Sequence, residues 1–257
     1  MELGLGLRTC FSLETKDPIF VNFKLTQSET EKVKKLLPSG FQLMSIKFTD
    51  MEETPSFWVS YNFYDLKYPK PQLAAIKKSR LEINTFVQDC YGRKGILVFC
   101  DSPFVSRETQ KSLLGGVCDF AEWLVTQIYG CGSLTKLEYQ LTNRLKVSLI
   151  TNTQKVAIDL PLTEKESHEE IGLSSDYFQF NDISFFNHGK SCDYVNVNSS
   201  FLQAKFFSVP LDTEGAQPII ENSIFRRRPD VILAHRGEIA YLVNSMNRCL
   251  TEGHAHG

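Results

Sequence analysis

The sequence predicts an α+β protein that is predominantly antiparallel β and folds as a single domain over residues 1–257. Apolar and polar residues alternate with a period of two over most of the chain, whereas about 106–128 has the spacing of a long helix. No internal repeat and no long linker divides the sequence. Residues 1–27 are expected to form an extended N-terminal segment, and residues 250–257 a flexible tail.

A short helix is predicted near the end of the N-terminal segment. Ser28 and Glu31 have the spacing of a capping box, and Pro38-Ser39-Gly40 contains residues that end a helix. Two strands are expected after it, at Gln42–Thr49 and Ser56–Tyr64.

The most informative stretch is Ser79–Asp101, which predicts a β-hairpin. Alternation in its first strand places two sets of side chains on opposite faces, one with Leu81, Ile83, Thr85 and Val87 and the other with Glu82, Asn84 and Phe86. If the second face lines the inside of a barrel, Glu82 and Asn84 are polar groups within an apolar chamber. Such a chamber is typical of a small-molecule site.

The period of the apolar residues changes near the middle of the chain. Apolar residues recur at helical spacing over Ser106–Ile128, and the glycines around Cys131 end that helix. Gly237–Arg248 is predicted to be a closing strand or a short helix. Strands are expected between these segments at Lys136–Gln140, Leu145–Asn152, Lys155–Leu160, Tyr177–Phe186 and Ser200–Pro210.

Composition argues against several classes of function. The net charge of −2 gives no electrostatic basis for binding nucleic acid, and no apolar run reaches the roughly 20 residues of a membrane span. The seven cysteines form no CxxC pair, and no His, Asp or Glu set has metal-ligand spacing, so neither a metal nor a cofactor is predicted. The N-terminus lacks the features of a secretory signal, and we expect a cytoplasmic protein.

Three short motifs resemble acetoacetate decarboxylase-like proteins. Leu37-Pro38-Ser39-Gly40-Phe41 resembles the segment before their first barrel strand, and Ser79–Phe99 resembles a strand pair that carries a glutamate and an asparagine. Gln127-Ile128-Tyr129-Gly130 is similar to the corner that precedes the catalytic lysine of the decarboxylases. The resemblance covers roughly Leu36–Leu149. It implies a β-barrel cone with helices packed outside and a ligand pocket inside.

The lysine pair of the true decarboxylases has no clear counterpart here. One of those lysines forms a Schiff base with the substrate ketone, for which its amine must be neutral. The expected positions hold Ser133 and Leu134, and Lys136 reaches the site only if the strand register shifts. This departure argues against decarboxylation through an imine, while Lys136 stays a candidate catalytic residue.

The remaining candidates for the site follow from the hairpin and the resemblance. An acidic residue at the position of Glu82 contacts substrate in the family, which makes Glu82 a candidate general acid or base. The alternative is a structural glutamate that faces water or pairs with Arg80 or Arg144. His235 is the one histidine with apolar neighbours in sequence. The substrate-binding candidates are Arg80, Asn84, Phe86, Tyr129 and His235.

The sequence thus favours a small-molecule enzyme that acts on an organic acid or polyketide-like substrate by acid–base chemistry in a barrel pocket. Whether it catalyses at all stays open; a lyase or an isomerase is the expected type of enzyme, with a cyclase as a further option. One alternative is a non-catalytic β-barrel that binds an apolar ligand, which the 19 phenylalanines favour. Another is a protein–protein interaction module. A homo-oligomer is compatible with each of these functions.

Overall fold

The fold is given by a computed structural model, which describes residues 11–50, 52–67, 78–103, 134–151, 155–162, 170–187, 192–209, 211, 219–221 and 226–248. The predicted long helix at about 106–128, Tyr129 and the predicted tail at 250–257 lie outside the described residues. The described part contains two short helices, α1 (Gln27–Lys34) and α2 (Ser175–Phe178), and a single 3-10 turn at Phe201–Gln203. All its other regular structure is β.

Sixteen strands are described. In chain order they are β1 (Phe11–Lys24), β2 (Gln42–Leu43), β3 (Trp58–Lys67), β4 (Lys78–Gln88), β5 (Lys94–Pro103), β6 (Leu134–Leu141), β7 (Arg144–Thr151), β8 (Lys155–Pro161), β9 (Glu170–Ile171), β10 (Ile183–Asn187), β11 (Cys192–Ser199), β12 (Phe206–Val209), β13 (Ile219–Glu221), β14 (Arg226–Arg227), β15 (Val231–Ala234) and β16 (Glu238–Arg248).

Seven of these strands form a closed barrel. The order of hydrogen-bonded neighbours is β16-β11-β10-β5-β4-β3-β1, and β1 pairs back with β16. Every neighbouring pair in this ring is antiparallel except β5 and β10, which are parallel through Ile96 and Ser184. Closure leaves the ring without a free edge. The expectation of a predominantly antiparallel barrel is therefore confirmed.

One apolar core lies between the barrel and the second sheet, whose order is β14-β13-β8-β7-β6. Along β8 the side chains of Val156, Ile158 and Leu160 are buried, and the residues between them are exposed. These side chains pack against the outward face of the barrel strands, which includes Phe63 and Leu81. Because the outer face of β3 and β4 supplies this core, the opposite faces of both strands point into the barrel.

Helix α1 begins two residues earlier than the sequence predicted. Its N-cap is Thr26, whose hydroxyl accepts from the Glu29 amide while the Glu29 carboxylate accepts from the Thr26 amide. The prediction of a capping box at Ser28 and Glu31 was therefore wrong in position. Both pairs satisfy the S/T-x-x-E pattern, and burial of Glu29 against the sheet selects the first pair.

Other boundaries also differ from the prediction. The strand expected at Gln42–Thr49 is regular only as far as Leu43, and isolated bridges at Ile46 and Thr49 follow it. Tyr177–Phe186 was predicted as one strand, but Ser174 caps α2 and only its last residues join β10. Gly237–Arg248 resolves as strand β16.

Arg227 ties α1 to the barrel through a set of charged hydrogen bonds. Its guanidinium donates to both carboxylate oxygens of Glu29, at 2.9 and 3.2 Å, to Asp230 at 2.9 Å and to the Lys24 carbonyl at 2.7 Å. Burial raises the pKa of Glu29, but the hydrogen bonds from Arg227 and from the Thr26 amide outweigh burial and hold the pKa below its ordinary value of 4.5.

Glu29→Gln is expected to lower the free energy of unfolding at pH 7 by about 1.5–3 kcal/mol, since hydrogen bonds to charged groups are lost. The folded carboxyl has the lower pKa, so its stabilisation is complete above the unfolded-state pKa and is lost as the pH falls through the folded value. Urea unfolding from pH 7 to pH 3 should therefore show the two proteins converging in acid. Glu31→Gln, on the exposed face of α1, is the matched control and should cost about 0.5 kcal/mol or less.

Gly95 allows β5 to approach β10. A Cβ at this position would lie 2.5 Å from the Ile183 carbonyl oxygen and 2.8 Å from the Phe185 ring. Gly95→Ala is therefore expected to destabilise the protein by about 1–3 kcal/mol in urea unfolding. Gly172→Ala is the control, because its Cβ would meet only the carboxylate of Asp50, which can rotate away. Equal losses of stability in the two variants would show that the close approach of β5 to β10 does not require a glycine at position 95.

Candidate functional site

A cavity of about 100 Å³ lies inside the barrel. Side chains from β1, β3, β4 and β16 supply most of its polar lining, and side chains from β5, β10, β11 and the 3-10 turn supply most of its apolar lining. Its lining residues on the polar side include Thr15, Asn62, Tyr64, Arg80, Glu82 and Tyr241. Those on the apolar side include Phe20, Ile96, Phe186, Val195, Val197 and Phe201.

Glu82 reaches this cavity because it alternates with the core residues Leu81 and Ile83 on β4. Both of its carboxylate oxygens accept hydrogen bonds, Oε2 from the Tyr64 hydroxyl at 2.9 Å and Oε1 from the Asn84 side-chain amide at 2.8 Å. The donors are neutral and lie on the barrel wall. Glu82 is therefore held in one orientation, with acceptor capacity left on both oxygens.

Arg80 lies two residues before Glu82 on the same face of β4 and is only 5% exposed. Its guanidinium carbon lies 5.8 Å from the centre of the Tyr64 ring. The structure thus brings a buried cation and a carboxylate together at one cavity, as the sequence-predicted site requires of Arg80 and Glu82. Asn84 is 1% exposed and orients Glu82 from outside the cavity lining.

Two tyrosines, the buried Tyr177 and the half-buried Tyr241, contribute neutral hydroxyl groups to the same cavity. Burial raises the pKa of Tyr241 well above its ordinary value, and the negative charge of Glu82 adds to this effect, while a hydrogen bond with Thr15 and the charge of Arg80 oppose it. Burial also raises the pKa of Tyr177, with smaller contributions from Tyr241 and Glu82. Both phenols therefore stay protonated and available as donors near Glu82.

Phe86 supports the cavity without lining it. Its ring centre lies 5.5 Å from those of Tyr177 and Phe180 and 6.0 Å from that of Phe48. This aromatic cluster connects β4 to α2 and to the turn that follows, and Tyr177 in turn lines the cavity. Phe86 therefore acts on the site through packing.

None of the other predicted residues is among the described residues that line this cavity. The His235 ring packs on Phe206 and its Nδ1 lies 2.8 Å from the Lys205 carbonyl oxygen, and it is not a lining residue. Lys136 lies on β6 in the second sheet, paired with Ile150, and its side chain is outside the described part. Tyr129 lies outside the described residues altogether.

Sequence reasoning missed Thr15, Asn62, Tyr64 and Tyr241. One signal was present in β3, where Ser60, Asn62 and Tyr64 alternate with Val59, Tyr61 and Phe63. That pattern matches the alternation used to find Glu82, and it could have identified the second polar wall.

The described residues contain no helix long and apolar enough to cross a membrane. Within the same part of the chain, no group of three or more His, Cys, Asp or Glu side chains is placed to hold a metal ion.

Comparison with known proteins gives a result only at the level of structure. No family model and no curated protein sequence matches the chain. An acetoacetate decarboxylase-like enzyme from Sphingomonas wittichii RW1 is 10% identical, with a TM-score of 0.49 over 95% of this chain and 93% of that one. The enduracididine biosynthesis enzyme MppR, complexed with pyruvate, is 6% identical, with a TM-score of 0.51 over 97% of this chain and 94% of that one.

The chain has the fold of MppR. The β-barrel that the sequence-based resemblance implied is therefore confirmed as the fold. The cavity around Glu82 lies inside the ring of barrel strands, where the resemblance implied a ligand pocket. The long helix that the spacing of apolar residues predicts at about 106–128 falls outside the described residues.

Proposed function

We propose that the protein is an enzyme that acts on a small organic acid inside the barrel cavity, with Glu82 as the general acid–base and Arg80 as the group that binds the substrate carboxylate. The observation that carries this proposal is the placement of both side chains in one barrel cavity, with Glu82 oriented by Tyr64 and Asn84.

The hydrogen bonds of Glu82 favour its action as a proton acceptor in the resting site. A carboxylate that accepts from two neutral donors has the pattern of an ionised side chain, and each oxygen keeps a further lone pair for substrate. Once the carboxyl group of a small organic acid is ionised, its most acidic carbon-bound protons are those on the carbon next to a carbonyl or carboxyl group. Proton removal there leads to isomerisation, or to elimination by a lyase.

Arg80 suits the carboxylate of such a substrate. A guanidinium has five N–H donors in a planar fork, so it can bind a carboxylate while it keeps contacts with the barrel wall. The buried position strengthens the attraction, because water screens the pair less. The positive charge of Arg80 would thereby offset the negative charge of the substrate carboxylate, which lies in the same cavity as the carboxylate of Glu82.

The size and lining of the cavity indicate the class of acid. Its volume of about 100 Å³ is below the roughly 300–1,000 Å³ of pockets for drug-sized ligands, so the substrate has few non-hydrogen atoms. The polar wall suits its acid group, and the apolar wall suits a short carbon chain. MppR, which shares the fold, is described in complex with pyruvate, and this supports an acid of that size.

The test is a panel of two- to five-carbon keto, hydroxy and simple carboxylic acids, each followed by proton NMR in D₂O. Binding shows as a saturation-transfer signal, and turnover as product or as exchange of protons next to the carbonyl. Binding without turnover would leave the non-catalytic barrel as the better description. Absence of both binding and turnover would overturn the proposal.

Lys136 is a second catalytic candidate, which would act by forming an imine with a keto acid. Borohydride reduction of the protein in the presence of pyruvate would convert that imine to a stable adduct, which peptide mass spectrometry would locate. An adduct at Lys136 that is absent from Lys136→Met would support this route. No adduct at Lys136 would remove it.

A further inference from the structure

A buried polar network connects β1 and β3 to the cavity. It consists of Asn22, Ser60 and Asn62, which are 0%, 3% and 7% exposed. The Ser60 hydroxyl oxygen lies 2.5 Å from Asn22 Oδ1 and 2.7 Å from the nearer end of the Asn62 side-chain amide. Only Asn62 of the three lines the cavity.

The single proton of the Ser60 hydroxyl determines which way the hydrogen bonds of this network run. A serine hydroxyl has one proton and donates to one acceptor, yet two amide groups contact it. The Asn22 amide is fixed by its other end, since Nδ2 donates to the Phe20 carbonyl at 3.2 Å. Ser60 therefore donates to Asn22 Oδ1, and its oxygen accepts a hydrogen bond from Asn62.

This assignment turns the amide of Asn62 so that Nδ2 faces Ser60 and the carbonyl oxygen faces away from it. Amide oxygen and nitrogen exchange places by a half rotation, and the hydrogen-bond network decides between the two orientations. Within the described chain, the end of the Asn62 amide that faces away from Ser60 makes no hydrogen bond. That end is also not completely buried. Since Asn62 lines the cavity, that end is the one available to a ligand.

We infer that Asn62 presents a fixed hydrogen-bond acceptor to the substrate, and that the substrate is therefore a hydroxy acid rather than a keto acid. This inference rests on the proposed function, in which Arg80 binds the carboxylate of the same molecule. A hydroxyl next to that carboxylate donates to the Asn62 carbonyl oxygen, whereas a keto oxygen in its place puts two acceptors face to face. Asn62 thus determines specificity, and Ser60 positions it.

The test compares matched pairs of acids that differ only in this group: lactate with pyruvate, and 2-hydroxybutanoate with 2-oxobutanoate. Dissociation constants are measured by titration calorimetry on the wild-type protein. We expect the hydroxy acid to bind at least about tenfold more tightly in both pairs, because a site built around a substrate hydroxyl rejects the analogue that lacks it. Equal affinity, or a preference for the keto acid, would overturn the inference.

Two variants separate specificity from general damage to the site. Asn62→Leu removes the acceptor and should bring the ratio of the two dissociation constants to about one. Ser60→Ala leaves the cavity lining in place but frees the Asn62 amide to rotate, so the keto acid should gain affinity relative to the hydroxy acid. A purely structural role would weaken both ligands by the same factor and would contradict the assignment.

Failure of the inference can be distinguished from failure of the proposed function. Arg80→Met should weaken both members of a pair equally, since both carry the carboxylate. If both acids bind equally and both depend on Arg80, the cavity is the binding site and only the role of Asn62 is wrong. If no acid of the two- to five-carbon panel binds the wild-type protein or is turned over by it, both proposals fail.

Discussion

Glu82→Gln is expected to lower the turnover of the substrate by about 10²–10⁴-fold, the usual contribution of a general acid–base group. The amide has the shape of the carboxylate and keeps contact with Tyr64 and Asn84, but it can neither take up nor release a proton at neutral pH. Because the binding groups are untouched, the dissociation constant should change only a fewfold. Steady-state kinetics and direct titration measure the two effects separately.

Glu170→Gln is the matched control for this variant. Glu170 is exposed on β9, where it pairs with Lys205 at 2.6 Å, away from the residues that line the cavity. Glu170→Gln makes the same chemical change as Glu82→Gln, but away from the cavity, and should leave turnover unaltered. Retention of turnover in Glu82→Gln would contradict the proposed role, as would an equal loss in both variants.

Phe86→Ala is expected to lower the free energy of unfolding by about 3–5 kcal/mol. The ring is 1% exposed and contacts Phe48, Tyr177 and Phe180, so truncation leaves a void that these neighbours cannot fill completely. The support of Tyr177 is lost with it, and ligand affinity should fall as well. Urea unfolding and ligand titration measure the two effects.

Tyr91→Ala is a control for loss of an aromatic ring. Tyr91 is 60% exposed in the turn between β4 and β5, and its removal should change the free energy of unfolding by about 1 kcal/mol or less. A similar cost for Phe86→Ala and Tyr91→Ala would show that the aromatic cluster does not stabilise the barrel as described.

The parts of the site that could be predicted from the sequence lie within one strand. Arg80, Glu82 and Asn84 share a face of β4 because side chains alternate, and this rule needs no knowledge of the rest of the fold. Thr15 and Tyr241 reach the same cavity only because β1 pairs with β16. Long-range pairing of this kind leaves no periodic signal in the sequence, so these residues were missed.

The boundaries that were wrong have local physical causes. A capping-box pattern occurs at both Thr26 and Ser28, and the contact between Glu29 and Arg227, 198 residues apart, distinguishes them. The aromatic residues Tyr177 and Phe178 favoured a strand, but Ser174 caps a helix there and Tyr177 is buried in the aromatic cluster. In both places a tertiary contact outweighed local preference.

Closure of the barrel has a consequence for how the protein is made. Thr15 and Ile239 are paired in the β1–β16 ladder, yet they lie 224 residues apart in the chain. During synthesis β1 has no partner on that side until β16 has left the ribosome, and its free edge is open to other strands in the meantime. Contacts this distant in sequence make folding slow, and the nascent chain is most prone to aggregation just before β16 is complete.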